Sequence, residues 1–291
     1  MALSFTPLSI DGAGEYRRLY SLCSRKSSYY SFGSLWAWRN IYGLSWAFEE
    51  GLCWIRTEKG VLWAPVGPWD EIPWAELMPR LFPGPETFRF VPDGLAHRLK
   101  EALGGRIQAI NVRSQWEYIH SVKDLIALRG NRFSKKRSHF RQFMKHYSFT
   151  YRSLGPEDGE AILEAQRRWL QEREPSGALL RENEAIEEMV REWKAVPSLL
   201  GGLIEVKGAP VAYTIAEGIT DHILVIHFEK ALSAYNGGYQ AINRLFLQKT
   251  ASSYTLVNRE EDLGDKGMRV AKMSYNPVDF LRKYVLSWDP S

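Results

Sequence analysis

Residues 254–277, reading YTLVNREEDLGDKGMRVAKMSYNP, put Asn258, Arg259, Glu260, Glu261 and Asp262 directly after an apolar run, with Lys272, Ser274 and Tyr275 a glycine-bounded turn later. Those residue types suit acyl transfer. A carboxylate such as Glu260 or Asp262 can take a proton from an attacking amine or hydroxyl, or hold an ammonium group before attack. A cation such as Lys272 can stabilise the oxyanion of a tetrahedral intermediate, and Arg259 can hold the donor. Asn258 and Tyr275 complete the catalytic candidates. The alternative role for the same set is an ion-pair network that fixes a strand end.

A second constellation lies upstream. Residues 132–145 carry Arg132, Lys135, Lys136, Arg137, Arg141 and Lys145 with no acidic residue. On a helix, Arg137, Arg141 and Lys145 at i, i+4 and i+8 line one side, where guanidiniums can grip a phosphate in bidentate fashion. A solvated basic face is the plainer alternative. Gly237 and Gly238 precede a helical pattern and could offer backbone N–H groups to an anion, or serve only as a cap and a turn. His227 and Glu229 share a strand face at i, i+2, although a lone strand histidine is more often a packed residue. No cluster has zinc-site spacing, and no G-x-S-x-G elbow, P-loop or GxGxxG is present, so metal, hydrolase, NTPase and dinucleotide chemistry lack support.

The elements that must position these groups alternate in two blocks. The first, residues 1–148, reads as a helix over 9–24 capped by Asp11, strands over 45–48, 52–57 and 61–65, helices over 74–81 and 95–103, strands over 87–91 and 107–112, and a helix from 121. Residues 35–42 are aromatic and ambiguous. The second block, 149–291, reads as helices over 156–172 and 182–195, strands over 199–206, 211–217 and 222–229, a helix over 239–251 and a strand over 254–257. Two helices, three strands, a loop, a helix and a strand are the order of a GNAT-like acyltransferase domain. The fold class is therefore α/β, with mixed sheets flanked by helices and a basic connecting helix between two halves.

Composition agrees with a folded protein of that size. The chain has 291 residues, 45% of them hydrophobic, and a net charge of +4, too small to imply a polyanionic partner without local clustering. Cys23 and Cys53 make no disulfide framework and are expected to be reduced and buried. No signal sequence and no run of 18 apolar residues is present, which predicts a cytoplasmic protein without a membrane span. Eight tryptophans precede residue 120 and should mostly be core, with Trp36 and Trp38, next to Arg39, the candidates for lining a substrate cleft or touching a membrane surface.

Four stretches taken in order carry a resemblance across roughly residues 9–285: FGSLWAWRNIYGLSWAFEEGLCWI (32–55), YIHSVKDLIALRGNRFSKKRSHFRQF (118–143), YQAINRLF (239–246) and the closing NREEDLG loop with its Lys-x-Ser-Tyr-x-Pro segment, expected as a strand. Together they resemble the family of the C-terminal domain of phosphatidylglycerol lysyltransferases. The resemblance implies two GNAT-like halves, with a ligand cleft at their interface or at splayed strands of the second half. It also implies aminoacyl transfer from aminoacyl-tRNA to an amine or hydroxyl acceptor, such as an anionic lipid headgroup or a peptide amine. Gly237, Gly238, Tyr239 and Asn243 would then belong to the donor site, and Lys136, Arg137 and Arg141 to a tRNA contact. No counterpart of the large enzymes' membrane-embedded flippase region is present. A coenzyme A-dependent N-acyltransferase is the alternative enzyme, although the Gly237–Gly238 loop lacks the Arg/Gln-x-x-Gly-x-Gly/Ala pattern. A catalytically silent ligand-binding module is the alternative outside enzymes.

Overall fold

The computed structural model describes residues 3–291. Its first elements are β1 (Thr6–Pro7), α1 (Ala13–Leu22), α2 (Phe32–Tyr42), β2 (Ser45–Glu49), β3 (Leu52–Arg56), β4 (Leu62–Trp63), α3 (Trp74–Leu81), β5 (Glu86–Pro92), α4 (Asp93–Leu103) and β6 (Ile107–Asn111). Then come β7 (Glu117–Ser121), α5 (Val122–Ala127), α6 (Ser134–His146), β8 (Phe149–Leu154), α7 (Gly159–Gln171), α8 (Gly177–Arg191), β9 (Leu199–Val206), β10 (Ala209–Gly218) and β11 (Ile223–Ala231). The chain ends with α9 (Gly238–Lys249), β12 (Leu256–Asn258), α10 (Lys266–Met273), β13 (Asp279–Leu281) and β14 (Lys283–Trp288).

Two seven-stranded sheets form, in the orders β1-β2-β3-β4-β5-β14-β6 and β13-β7-β12-β11-β10-β9-β8. Both follow one plan. A strand and two helices lead into three antiparallel strands, a helix then crosses to a strand parallel to the last of them, and a further helix leads to the far edge. One more strand is inserted next to that edge. It is β14 in the first sheet and β7 in the second, so each half of the chain supplies the inserted strand of the other half's sheet.

The chain accordingly divides into two compact units. The first contains the described residues up to Glu117, together with Glu261–Gly264 and Phe280–Ser291; the second contains Tyr118–Glu260 and Asp265–Asp279. Helices α5 and α6 pack on α9, with Phe133, Phe140 and Phe143 buried in the second unit's core.

Local sequence explains most boundaries. Glu50–Gly51 and Lys207–Gly208 each take two consecutive positive φ values, the geometry that lets a two-residue turn follow the twist of a hairpin. Ser31 caps α2 by accepting from the Ser34 N–H, and Gly43 ends that helix in the left-handed region. Helix α1 starts after Gly12, without an Asp11 cap. The Lys-x-Ser-Tyr-x-Pro segment, 272–277, is not the expected strand: its first two residues end helix α10 and the rest is turn and irregular chain. Asp265 Oδ1 accepts from the Met268 N–H at 2.6 Å, and the Lys, Met, Arg and Ala residues that follow favour helix over strand.

The first unit's core is aromatic. Trp46, Trp54, Trp63, Trp69, Trp74 and Trp288 are buried, and Trp69, Trp74 and Trp288 each donate the indole N–H to a backbone carbonyl. Beside it lies a fully buried ion pair, Lys283 Nζ to Glu117 Oε1 at 2.6 Å, with the ammonium 3.4 Å from the Tyr29 ring centroid. Ser27 Oγ and the Ser28 N–H also donate to Glu117. A carboxylate held that well is tolerable without water.

Candidate active site

In the second unit, β11 is nine residues long but its parallel partner β12 pairs only with Ile223, Leu224 and Val225. Beyond Val225 that edge is released, and Arg259 and Glu260 follow β12 at the level where the strands part. Across β11, Ile215 pairs with Phe228 and Ala216 with Ile226, which leaves His227 as the extra residue of a bulge. Bulges re-aim side chains, and this one delivers His227 to the loop after β12.

His227 is buried between two carboxylates. Its Nδ1 is 3.0 Å from Glu260 Oε1 and its Nε2 is 3.0 Å from Glu217 Oε2, so both ring nitrogens act as donors, the pattern of an imidazolium. Burial opposes that charge, but the hydrogen bonds to Glu217 and Glu260 outweigh it and push the imidazole up to about 9. Glu260 has φ +56, a left-handed conformation unusual for a residue with a side chain, and Asn258 Oδ1 supports the turn by accepting the Glu260 N–H at 2.8 Å. Asn258 is completely buried and shapes the loop.

A second cluster surrounds Tyr275. Glu229 accepts from Arg259 Nη2 at 2.7 Å and from Asn243 Nδ2 at 2.8 Å. The Arg259 guanidinium carbon lies 4.5 Å from the Tyr275 ring centroid, and Lys136 Nζ lies 4.2 Å from it. Arg259 Nη1 and the Tyr275 hydroxyl are both shielded from solvent and make no geometrically complete hydrogen bond, although the Tyr275 hydroxyl lies within reach of Gln240 and Arg259. Burial pushes the phenol up to about 12, so it remains a proton donor. Burial, aided by the Arg259 charge and opposed by Glu229, pulls the Lys136 ammonium down to about 8. Lys272 Nζ donates to the Arg259 carbonyl at 2.6 Å, fixing the backbone that carries the guanidinium. Burial, with the nearby Arg259 charge, lowers His120 to about 3, and its Nε2 lies 3.3 Å from the Lys272 carbonyl.

The second unit thus brings together Asn258, Arg259, Glu260, Lys272, Tyr275, Lys136 and Asn243. Asp262 belongs to the first unit, where it is buried, pairs with Arg113 at 3.2 Å and accepts the Gly264 N–H at 2.9 Å. Trp38 also lies in the first unit, half-buried and stacked on Tyr42. A cleft of about 560 Å³ in that unit, lined by Lys59, Arg89, Arg106 and Trp288 among others, holds none of the candidate residues.

The glycine pair serves close packing. Both glycines are buried, and at Gly237, with φ +83, a Cβ would come within 2.2 Å of the His139 carbonyl oxygen on α6. Tyr239 accepts the Trp169 indole N–H at 3.1 Å. Arg137 donates to the carbonyls of Leu128 and Gly130 and so ties down the end of α5. Arg141 is exposed; burial, aided by the Arg141 charge, lowers the pKa of Arg244 on α9. The Arg244 Nε is buried without an acceptor, its guanidinium carbon 4.3 Å from the Phe140 ring centroid. Glu217, Glu229 and Arg244 are the groups sequence reasoning passed over or undervalued. The His227–Glu229 spacing was their one visible signal.

Two units of this plan make the protein a tandem GNAT-like α/β protein. The chain belongs to the family of the phosphatidylglycerol lysyltransferase C-terminal domain, which matches residues 20–287. It is similar to a Bacteroides thetaiotaomicron protein of unknown function, at 25% identity and a TM-score of 0.87 over 99% of this chain and 100% of that one. The C-terminal domain of a proposed lysylphosphatidylglycerol synthetase from Agrobacterium fabrum shares the fold, with a TM-score of 0.67 at 12% identity over 96% and 92% of the two chains. An uncharacterized protein of Mycoplasmoides gallisepticum is 23% identical over 178 residues, which are 60% of this chain and 56% of that protein's length. This chain therefore spans just over half of that relative.

Proposed function

We propose that the protein transfers an aminoacyl group from aminoacyl-tRNA to a hydroxyl or amine acceptor, with a lipid headgroup hydroxyl the acceptor to try first. The observation that carries this is the pair of buried polar groups with incomplete hydrogen bonds, Arg259 Nη1 and the Tyr275 hydroxyl, beside Lys136, whose ammonium is pulled down to about 8. An incompletely bonded buried donor is costly, and a developing oxyanion would accept from both groups at once.

In this mechanism neutral Lys136 takes the proton from the acceptor as it attacks the ester carbonyl. Arg259 and Tyr275 stabilise the oxyanion. The bond to the tRNA ribose oxygen then breaks, and that oxygen leaves with the proton from Lys136. Glu229 and Asn243 hold Arg259, while His227 and Glu217 hold Glu260. Arg141 and Arg244, which come from facing helices with no carboxylate bonded to either, suit the donor's phosphates.

The test supplies labelled aminoacyl-tRNA from a bulk pool with phosphatidylglycerol vesicles or a soluble amine, and counts label in each acceptor. Transfer by the wild type that is lost in Arg259→Lys supports the assignment. Absence of transfer to every acceptor by a folded protein overturns it.

A further inference from the structure

The cleft of about 560 Å³ in the first unit is built on the solvent-facing side of its sheet. Ser287 on β14 pairs with Thr87 on β5 and with Gln108 on β6, so two hydroxyls and an amide stand side by side across three strands. Phe88, Leu286, Trp288 and Ile107 alternate with them and are buried in the core behind. Arg89, two residues along β5, shares the face of Thr87. Arg106 lines the cleft just before β6, its guanidinium carbon 5.5 Å from the Trp288 ring centroid, and Lys59 lines it from the turn before β4.

These polar groups are not engaged with one another. Among the described residues, the side chains of Lys59, Thr87, Arg89, Gln108 and Ser287 make no hydrogen bond or ion pair, and Arg106 makes only its ring contact. Two carboxylates also line the cleft: Glu86, which has no partner, and Asp289, which accepts from the Ser291 N–H at 3.1 Å and hydroxyl at 2.6 Å. Three cations against two carboxylates leave one excess positive charge, which disfavours a polyanion and suits a ligand with a single phosphate. Lysine and arginine donate to phosphate oxygens, while neighbouring hydroxyl, amide and carboxylate groups serve a polyol. The volume exceeds what a bare phosphate ion fills and falls in the range of small-molecule sites.

The cleft is not the first unit's copy of the candidate active site. In the shared plan β4 and β5 correspond to β11 and β12, and Arg259 and Glu260 follow β12. Lys59 precedes β4 and Glu86 opens β5, so the cleft lies at the opposite end of the parallel pair.

We propose that this cleft binds a small phosphorylated sugar, with Lys59, Arg89 and Arg106 on the phosphate and Glu86, Thr87, Gln108 and Ser287 on the sugar hydroxyls. This goes beyond the transfer reaction and does not depend on it.

The experiment is titration calorimetry of the whole protein, in separate runs, with ribose 5-phosphate, glucose 6-phosphate, glucose, inorganic phosphate and bulk deacylated tRNA. At least one sugar phosphate should bind about tenfold or more tighter than either glucose or inorganic phosphate. Lys59→Gln/Arg89→Gln, which alters side chains without partners, should lose that binding with an unchanged melting midpoint. Gln108→Ala/Ser287→Ala should weaken the sugar phosphate and leave inorganic phosphate as it is. Failure of both sugar phosphates to bind, binding no tighter than that of inorganic phosphate, or binding untouched by both double variants would overturn the proposal. So would tRNA binding that depends on Lys59 and Arg89 while the sugar phosphates do not bind. No aminoacyl donor enters these titrations, so this proposal and the transfer reaction fall separately.

Discussion

Arg259 donates from Nη2 to Glu229 Oε1 at 2.7 Å and keeps Nη1 buried without an acceptor. One side of the guanidinium is anchored and the other is available, the arrangement expected of a preorganised oxyanion donor. Replacement of Arg259 by Lys should lower kcat by roughly 10²–10³ with little change in donor KM. Glu229→Gln, which keeps the shape but loses the charge, should cost less. Steady-state kinetics with an unfolding control decide this, and an unaltered kcat in Arg259→Lys would remove Arg259 from the chemistry.

Lys136 has its pKa pulled down to about 8 by burial and by the Arg259 charge. As general base it must be neutral, so kcat should rise with pH through about 8 and level off above it. Lys136→Arg, charged throughout that range, should abolish the rising limb. A limb that persists in this variant would assign it to another group.

His227 titrates at about 9 in the folded protein, above its ordinary 6.5, because Glu217 and Glu260 hold its proton. A group raised on folding contributes its full stabilisation below the unfolded value and loses it as pH climbs through the folded one. Stability should therefore decline between about pH 6.5 and 9, and His227→Gln should flatten that decline. Urea titrations across this range in both proteins provide the comparison.

Strand exchange makes the halves interdependent. A fragment of residues 149–291 lacks β7, which leaves β12 without its antiparallel neighbour, and lacks α5 and α6, which cover α9. It should be poorly soluble and lack cooperative melting, whereas residues 118–281 should retain near-UV dichroism and a cooperative transition. Cooperative melting of the shorter fragment would show that β7 is dispensable.

The repeated order of helices and strands was legible because hydrophobic period and turn chemistry are local. The pattern at residues 199–231 gives three strands, and Lys207–Gly208 marks the turn between the first two. Residue type alone marks the NREEDLG segment as a candidate for chemistry, and Asn258, Arg259, Glu260, Lys272 and Tyr275 lie in one unit. Asp262 does not join them, since its carboxylate bonds Arg113 and the Gly264 N–H. Nor could the sequence show that Arg137 is tied to two backbone carbonyls, because its partners lie in the irregular chain after α5.

By itself, the sequence determined two α/β halves, the basic acid-free helix, the absence of a run of 18 apolar residues and the polar loop proposed as the candidate site. These depend on composition and on neighbours a few residues apart. The tertiary structure decided which sheet receives β7 and which β14, that a one-residue bulge turns His227 toward Glu217 and Glu260, and that Glu229, Arg259 and Lys136 meet around Tyr275. Strand pairing and buried-charge pairing join residues tens to more than a hundred positions apart. Their energies come from burial and geometry that exist only once the chain has closed, and no local period encodes them.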